Sequence, residues 1–463
     1  MFADEFLHGL SAAVGPRWIL TDPAARATYG ADALLESHPP DFVVLPGSTA
    51  EVAAIAALCS RHLVPLVVRG AGTGYTGGAV PTHGGVLLSM ERLNRILEID
   101  EHNLLAVVEP NVVTGDLQRE VERRGLFYPP DPASLDKSAL GGNVAEGAGG
   151  PRAFKYGTTK RYVLALEAVL PTGDVIETGS KAVKNVVGYD LTQLLVGSEG
   201  TLAIITKITL RLIPKPPAQA TLLALFDGIA SSAEAVSALI RLRAVPAALE
   251  LIDGDSLQTV HEYLGQTIVP REASAALIVE VDGSQPAVED EIARVAEGCR
   301  QAGAIGIVRA DTGSEREQIW SLRRQLSLAL RATGLLKINH DVVVPRGRVP
   351  ELFALVSDLK RRHALRIACF GHAGDGNIHV NIMVNRDDAA ERARARAAER
   401  LLFEGVVALE GSISGEHGIG FAKAKYLGIE LSAAEIALMK RIKRAFDPNG
   451  ILNPGKIFPP EAP

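Results

Sequence analysis

Residues 66–68 read as a short strand, and the chain runs from it directly into Arg69-Gly70-Ala71-Gly72-Thr73-Gly74-Tyr75-Thr76-Gly77-Gly78. A glycine triplet after a strand suggests a dinucleotide fold. The usual form of that fold needs a helix opening from the glycines, so that its N-terminus meets the pyrophosphate. Here Gly77, Gly78 and Pro81 follow, then another strand from Val86. The loop joins strand to strand, which excludes the usual arrangement. Its backbone N–H groups can still cradle a phosphate in a nest.

A second stretch, 138–150, is almost bare of side chains: Ser138, Ala139, Gly141, Gly142, Ala145, Gly147, Ala148, Gly149 and Gly150. Small residues let a backbone approach a flat ligand closely. Two such loops in one α/β domain point to an extended cofactor with a diphosphate and a ring system, and a flavin dinucleotide fits.

The 463 residues exceed one ordinary core, so two or three domains are expected. The hydrophobic content of 47% with 22% charged residues suits a globular chain. A net charge of −6 gives no broad attraction to nucleic acid or anionic lipid. No apolar run approaches the ~18 residues that span a bilayer. The start, Met1-Phe2-Ala3-Asp4-Glu5-Phe6, is acidic where a signal peptide would be basic. A cytoplasmic location is expected, with peripheral contact at the inner membrane left open. Cys59, Cys299 and Cys369 never fall at CxxC spacing, so they build no iron–sulfur cluster, and electrons must leave to an external acceptor.

Strands are expected at 41–45, 66–68, 86–89, 104–108 and 201–212. Helices are expected after a capping box at Ser48-Thr49-Ala50-Glu51, from about 114 and near 189–196, with 129–150 almost all loop. Pro214-Lys215-Pro216-Pro217 reads as a linker. Beyond it, strands (221–226, 247–252, 275–281, 304–309) alternate with helices (231–243, 255–264, 286–302, 314–331), the pattern of a smaller α/β domain of split βαβ units.

That domain leads to residues 371–381, Gly-His-Ala-Gly-Asp-Gly-Asn-Ile-His-Val-Asn, and then to 414–420, Ser-Gly-Glu-His-Gly-Ile-Gly. His372, His379, Glu416 and His417 form a set suited to holding a divalent metal and moving a proton. Residues 378–384 alternate as a strand, with His379 and Asn381 on one face and Ile378, Val380, Ile382 and Val384 on the other. His372 is expected on the turn upstream. Asp375, between glycines, reads as a turn residue. The arginines of 386–400 read as a solvated helix face.

Many stretches, in order, resemble the FAD-linked 2-hydroxy-acid dehydrogenases of the vanillyl-alcohol-oxidase superfamily. That family includes the glycolate oxidase flavin subunit, cytochrome-linked D-lactate dehydrogenase and D-2-hydroxyglutarate dehydrogenase. The matching stretches are 69–78, 129–132, 141–150, 155–157, 184–191, 197–202, 371–381 and 453–456. The resemblance implies an α+β fold: a two-subdomain FAD-binding domain of the PCMH type over 1–214, a ferredoxin-like α/β cap over 215–420 carrying substrate and metal residues, and a segment, 421–463, returning to the first. It implies that FAD is held by Arg69, Gly70, Ala71, Gly72, Thr73, Gly74, Gly77 and Gly78 at the pyrophosphate. The isoalloxazine would lie against Pro130, Asp131, Gly141, Gly142, Asn143, Ala145 and Gly149. Tyr156, Gly157, Glu199, Gly200, Thr201, Ile205 and Asn453 complete the expected cofactor set. Thr73 stands where covalent relatives can carry His, so non-covalent FAD is implied. Ala203 departs from the Gly that often follows Glu-Gly-Thr-Leu in the family.

In that reading FAD accepts a hydride from a 2-hydroxy acid. A divalent metal, zinc or manganese, on His372, His379 and Glu416 would lower the pKa of the substrate hydroxyl, with His417 as general base. Arg323 matches an arginine that binds substrate carboxylate in the D-2-hydroxyglutarate enzymes. Ser327 and Lys337 fall near other substrate-contacting positions, and Asn381 would hydrogen-bond the substrate. The implied partners are a small 2-hydroxy acid, an external acceptor (quinone, cytochrome, electron-transferring flavoprotein or iron–sulfur subunit) and a second copy in a homodimer, with no nucleic acid. Competing readings are a metallohydrolase on the same His/Glu set, a non-redox flavoprotein of the alkyl-glycerone-phosphate synthase type, and a catalytically dead flavin-binding subunit.

Overall fold

The computed structural model describes residues 4–459 apart from 244, 266–268 and 271. Met1, Phe2 and Ala3 of the acidic start lie outside the described residues. The chain divides into two compact units. The first is Met1–Gly149, Thr158–Lys215 and Glu416–Pro463; the second is Gly150–Gly157 and Pro216–Gly415. The expected divisions, 214/215 and 420/421, thus differ by one and by five residues. The segment 150–157 joins the second unit because Lys155 Nζ and Tyr156 Oη both bond the Asp282 carboxylate, at 2.5 and 2.7 Å.

The first unit holds a four-stranded sheet ordered Ile19–Leu20, Phe42–Val44, Val86–Ser89, Leu66–Arg69. The last three strands run parallel. Between Leu66–Arg69 and Val86–Ser89 there is no helix, as the glycine loop required. Helix Thr49–His62 buries Val52, Ile55, Ala56 and Cys59 against Phe6 and Leu10 of helix Asp4–Val14. Its cap differs from the expected box. The Ser48 side chain accepts from Glu51 N, but the Glu51 carboxylate takes the N–H of Gly47 instead of Ser48. Downstream, Leu66 N donates to Ile451 O and Asn453 N to Leu66 O, so residues 451–453 extend that sheet edge.

A second, antiparallel sheet of the first unit is ordered Ile96–Asp100, Leu105–Val108, Ile204–Arg211, Val163–Val169, Val175–Gly179. The stretch 129–150 is not all loop, because Leu140–Glu146 is a helix. Glycine propensity argues against it, but Leu140 and Val144 are wholly buried one turn apart. Asn143 is pinned by its Nδ2 donating to Thr114 Oγ1 at 2.6 Å. Gly141 is needed there, since a Cβ would lie 2.6 Å from Pro110 Cβ.

The second unit is built on a seven-stranded antiparallel sheet. Its first four strands, Ala218–Phe226, Ala248–Asp253, Ala275–Gly283 and Gly306–Ala310, take the spatial order fourth, first, third, second, as two interleaved βαβ units require. Strands Arg366–His372, Asn377–Val384 and Leu336–Val343 continue the sheet from Ala248–Asp253. His372 therefore ends a strand and does not sit on the turn, because its backbone pairs with both Glu250 and Asn377. Among the described residues no helix is long and apolar enough to cross a membrane.

Candidate active site

Cross-strand register gathers the polar residues of the second unit. Glu250 faces His372, which faces Asn377, and His379 faces both Phe370 and Asp341. With a side-chain period of two, Glu250, His372, Asn377, His379, Asn381, Asp341, Asn339 and Lys337 share one face of the sheet. Their side chains connect. Nδ1 of His372 lies 2.6 Å from Oε1 of Glu250, and Arg323 Nε donates to Oε2 at 2.5 Å. The Arg323 guanidinium also lies over the Phe370 ring, 4.8 Å from its centre. The His372 and His379 rings meet edge to face, 5.3 Å apart.

Asp341, beside His379, accepts from Asn377 Nδ2 at 2.6 Å and from Gly415 N at 3.0 Å. That fixes the chain where the second unit ends. Asp375 is a turn residue, as expected: its Oδ1 accepts from Asn377 N, and Gly376 has φ 85° with Val344 O where a Cβ would stand.

Lys337 Nζ donates to Ser327 Oγ at 2.7 Å, bringing two expected substrate positions together. Burial, with Arg331 and Arg323 nearby, pushes Lys337 down to about 7. Asn381 lies on the same strand face as His379. It is fully buried, its Nδ2 donates to Ala368 O and His379 O, and its Oδ1 accepts from Asn339. Both amide hydrogens brace the sheet. Tyr156, expected at the cofactor, donates its hydroxyl to Asp282 within the second unit.

In the first unit, the glycine loops and distant single residues come together. A Cβ on Gly70 would lie 3.0 Å from Ala139 Cβ and 3.9 Å from Gly142 N. Gly77, at φ 79°, has the Phe421 ring where a Cβ would stand. Asn453 Nδ2 donates to both Gly78 O and Glu199 O, tying the loop 69–78 to the 199–201 turn. Glu199 adopts a left-handed φ of 52° and accepts from Ile419 N and Gly420 N at 2.7 and 2.6 Å. Those bonds fix the segment that carries Glu416 and His417. The His417 ring stacks on Tyr75 with centres 5.0 Å apart, and its carbonyl accepts from Thr76 Oγ1. A Cβ on Gly149 would lie 2.7 Å from Glu416 Oε2. By contrast, among the described residues no atom outside its chain neighbours and its own helix backbone lies within 4 Å of a Cβ on Gly142. A backbone cradle with open space beside bare helical glycine fits a flat cofactor.

Sequence reasoning missed Glu250, Asp341, Tyr75 and Glu146. The available signals were a lone carboxylate in the apolar run 248–252, and an aspartate in phase with Lys337 and Asn339 along one strand.

Known proteins resemble this chain over nearly its whole length. A family model described as an FAD binding domain matches residues 40–179, and one for the C-terminal domain of FAD linked oxidases matches 215–457. The glycolate oxidase subunit GlcD of Bacillus subtilis (strain 168) is 42% identical over all of this chain and 98% of its own length. A D-lactate dehydrogenase of Anaerostipes hadrus is 36% identical, covering 96% of this chain and 95% of its own. The solved structure of p-cresol methylhydroxylase superposes with a TM-score of 0.80 at 20% identity, over 98% of this chain and 96% of that one, which shows the α+β fold of the PCMH type. The chain therefore belongs to the FAD-linked oxidases, the family its motifs resemble, and is an FAD-dependent oxidoreductase.

Proposed function

We propose that the protein oxidises a small D-2-hydroxy acid, of the glycolate, D-lactate or D-2-hydroxyglutarate kind, to its 2-oxo acid. The observation that carries this reading is the Glu250–His372 pair beside His379. A carboxylate on one ring nitrogen fixes the tautomer and leaves the lone pair of the other nitrogen for a metal, which is how metal-binding imidazoles are held. The relatives' names, glycolate oxidase and D-lactate dehydrogenase, point to the same substrate class.

FAD, held without a covalent bond since Thr73 is no nucleophile for it, supplies the hydride acceptor. A zinc or manganese ion on His372, His379 and Glu416 would supply a Lewis acid for the substrate hydroxyl. Arg323 spends Nε on Glu250, and its terminal nitrogens are the fork for a substrate carboxylate. Glu250 neutralises that arginine and orients it. Lys337 on Ser327 adds a second donor for the acid's polar end. His417, clamped by Tyr75 and Thr76, takes the hydroxyl proton. The cysteines are buried and separate, so electrons pass to an external quinone, cytochrome, flavoprotein or iron–sulfur subunit.

The test is anaerobic bleaching of the flavin by glycolate, D- and L-lactate and D- and L-2-hydroxyglutarate, with bound metal assayed in parallel. Bleaching by a D acid or glycolate is expected. Flavin that stays oxidised with every acid in metal-loaded protein would sink the proposal.

A further inference from the structure

The stretch 184–191 matches the family and is exposed throughout. The segment 180–190 leaves edge strand Val175–Gly179 and re-enters at helix Leu191–Leu195. Its apolar side chains stand in solvent: Val183 is 69% exposed, Val186 97%, Val187 90% and Tyr189 95%. The protrusion has a defined shape. Asn185 Oδ1 accepts from Val187 N, Gly188 turns at φ 74°, and Asp190 spends its carboxylate on Gln193 N as the helix cap. Lys181, 2.5 Å from Glu98 on the opposite edge strand of the same sheet, anchors its base.

Within 180–190, Lys181 is paired with Glu98 and Asp190 caps the helix, and Lys184 is the cation at the tip. Lys160 and Arg161 are also exposed close by, where Gln193 Nε2 donates to Lys160 O. A clustered, exposed apolar tip among cations marks an interaction surface.

We propose that this loop docks on the interface of an anionic bilayer. Valines and a tyrosine at the tip can enter the headgroup boundary, where tyrosine's amphipathic ring is favoured, while Lys184, Lys160 and Arg161 meet anionic headgroups. A protein partner fits less well. Four side chains on one loop offer less than the ~800 Å² per partner that a stable interface buries. Docking here would hold the flavoprotein beside membrane-borne electron acceptors.

The test uses the FAD-loaded full chain in co-sedimentation with phosphatidylcholine vesicles, with and without phosphatidylglycerol. Binding is expected only with phosphatidylglycerol, weakened by salt. The triple variant V186S/V187S/Y189S should lose binding on the order of tenfold or more while retaining its flavin. A Y189W variant gives an independent reading, its emission shifting to the blue with anionic vesicles alone. No binding by the unaltered protein, or unchanged emission from Y189W, overturns the proposal. So does self-association of the unaltered protein that the triple variant abolishes, since the loop would then be a contact between copies.

Discussion

Glu250 and His372 face each other across adjacent antiparallel strands, with Oε1 and Nδ1 2.6 Å apart and the carboxylate wholly buried. Burial alone would raise the pKa of this carboxyl. His372 and Arg323 overcome that and hold it at about 2. The group is thus an anion fixed between an imidazole and a guanidinium at any pH near neutrality. One residue sets the ring that would hold metal and the arginine that would hold substrate.

Substitution of Glu250 by Gln tests this linkage. The folded pKa lies below the ordinary value, so the stability it confers is present above the ordinary carboxylate range and is lost as pH falls toward 2. At neutral pH the variant should lose about 3 kcal/mol, because Arg323 is left buried beside a neutral amide. Metal affinity should fall roughly 10- to 100-fold. Urea unfolding and metal titration measure the two effects. Unchanged metal affinity in a folded E250Q protein would remove His372 from the ligand set.

Much of the fold is legible because it is periodic. The alternation of 378–384 places His379 on a polar face, and the strand-helix alternation after the linker gives the interleaved βαβ order. Glu250 is not legible in this way. Its partner lies 122 residues on, and only the strand register brings them opposite. Asn381 shows the converse. Its face was right, but a face does not reveal that Asn339, Ala368 and His379 already occupy its amide. Helix Leu140–Glu146 was hidden by its glycines, whose weak propensity is overridden by burial of Leu140 and Val144.

Gly142→Ala separates folding from cofactor binding. It lies within that helix, and among the described residues nothing beyond its chain neighbours and its own helix backbone stands within 4 Å of its added methyl. The apo protein should be unchanged or stabilised by about 0.5–1 kcal/mol, as Ala replaces Gly in a helix. If the flavin ring lies against 141–149, the methyl takes its space, and FAD affinity should fall by about tenfold or more. Flavin fluorescence titration and thermal unfolding of the apo protein give both numbers. Undiminished FAD binding would place the ring elsewhere.

Glu146 makes a pH-dependent prediction. A Cβ on Gly418 would meet Glu146 Oε2 at 2.3 Å and Glu199 Oε1 at 2.9 Å, so the two carboxyls converge on one point. Burial first, then Glu199 and Asp32, raises the Glu146 pKa well above the ordinary value. The fold therefore retains a proton that the unfolded chain releases. The stability this lends is complete below the ordinary pKa and declines as pH rises, by at most about 1.4 kcal/mol per unit. Glu146→Gln carries no titrating group, so its stability relative to the parent should rise as pH climbs above the ordinary carboxylate range. Urea midpoints over that climb in pH decide it. Parallel profiles would mean that Glu146 titrates as an ordinary carboxylate.

His417→Ala addresses the chemistry. The ring is stacked on Tyr75, its carbonyl is held by Thr76, and Glu199 fixes the following backbone, so the substitution removes an imidazole from a braced loop. If His417 takes the hydroxyl proton, anaerobic flavin reduction should slow by roughly 10²- to 10⁴-fold. The acid concentration giving half-maximal reduction should change little if, as proposed, binding rests on Arg323 and a metal on His372, His379 and Glu416. Free imidazole should restore part of the rate, which a purely structural role for the ring does not predict. Reduction at the parent rate would leave proton removal to another group, and Lys337, held to about 7, would be the next to substitute.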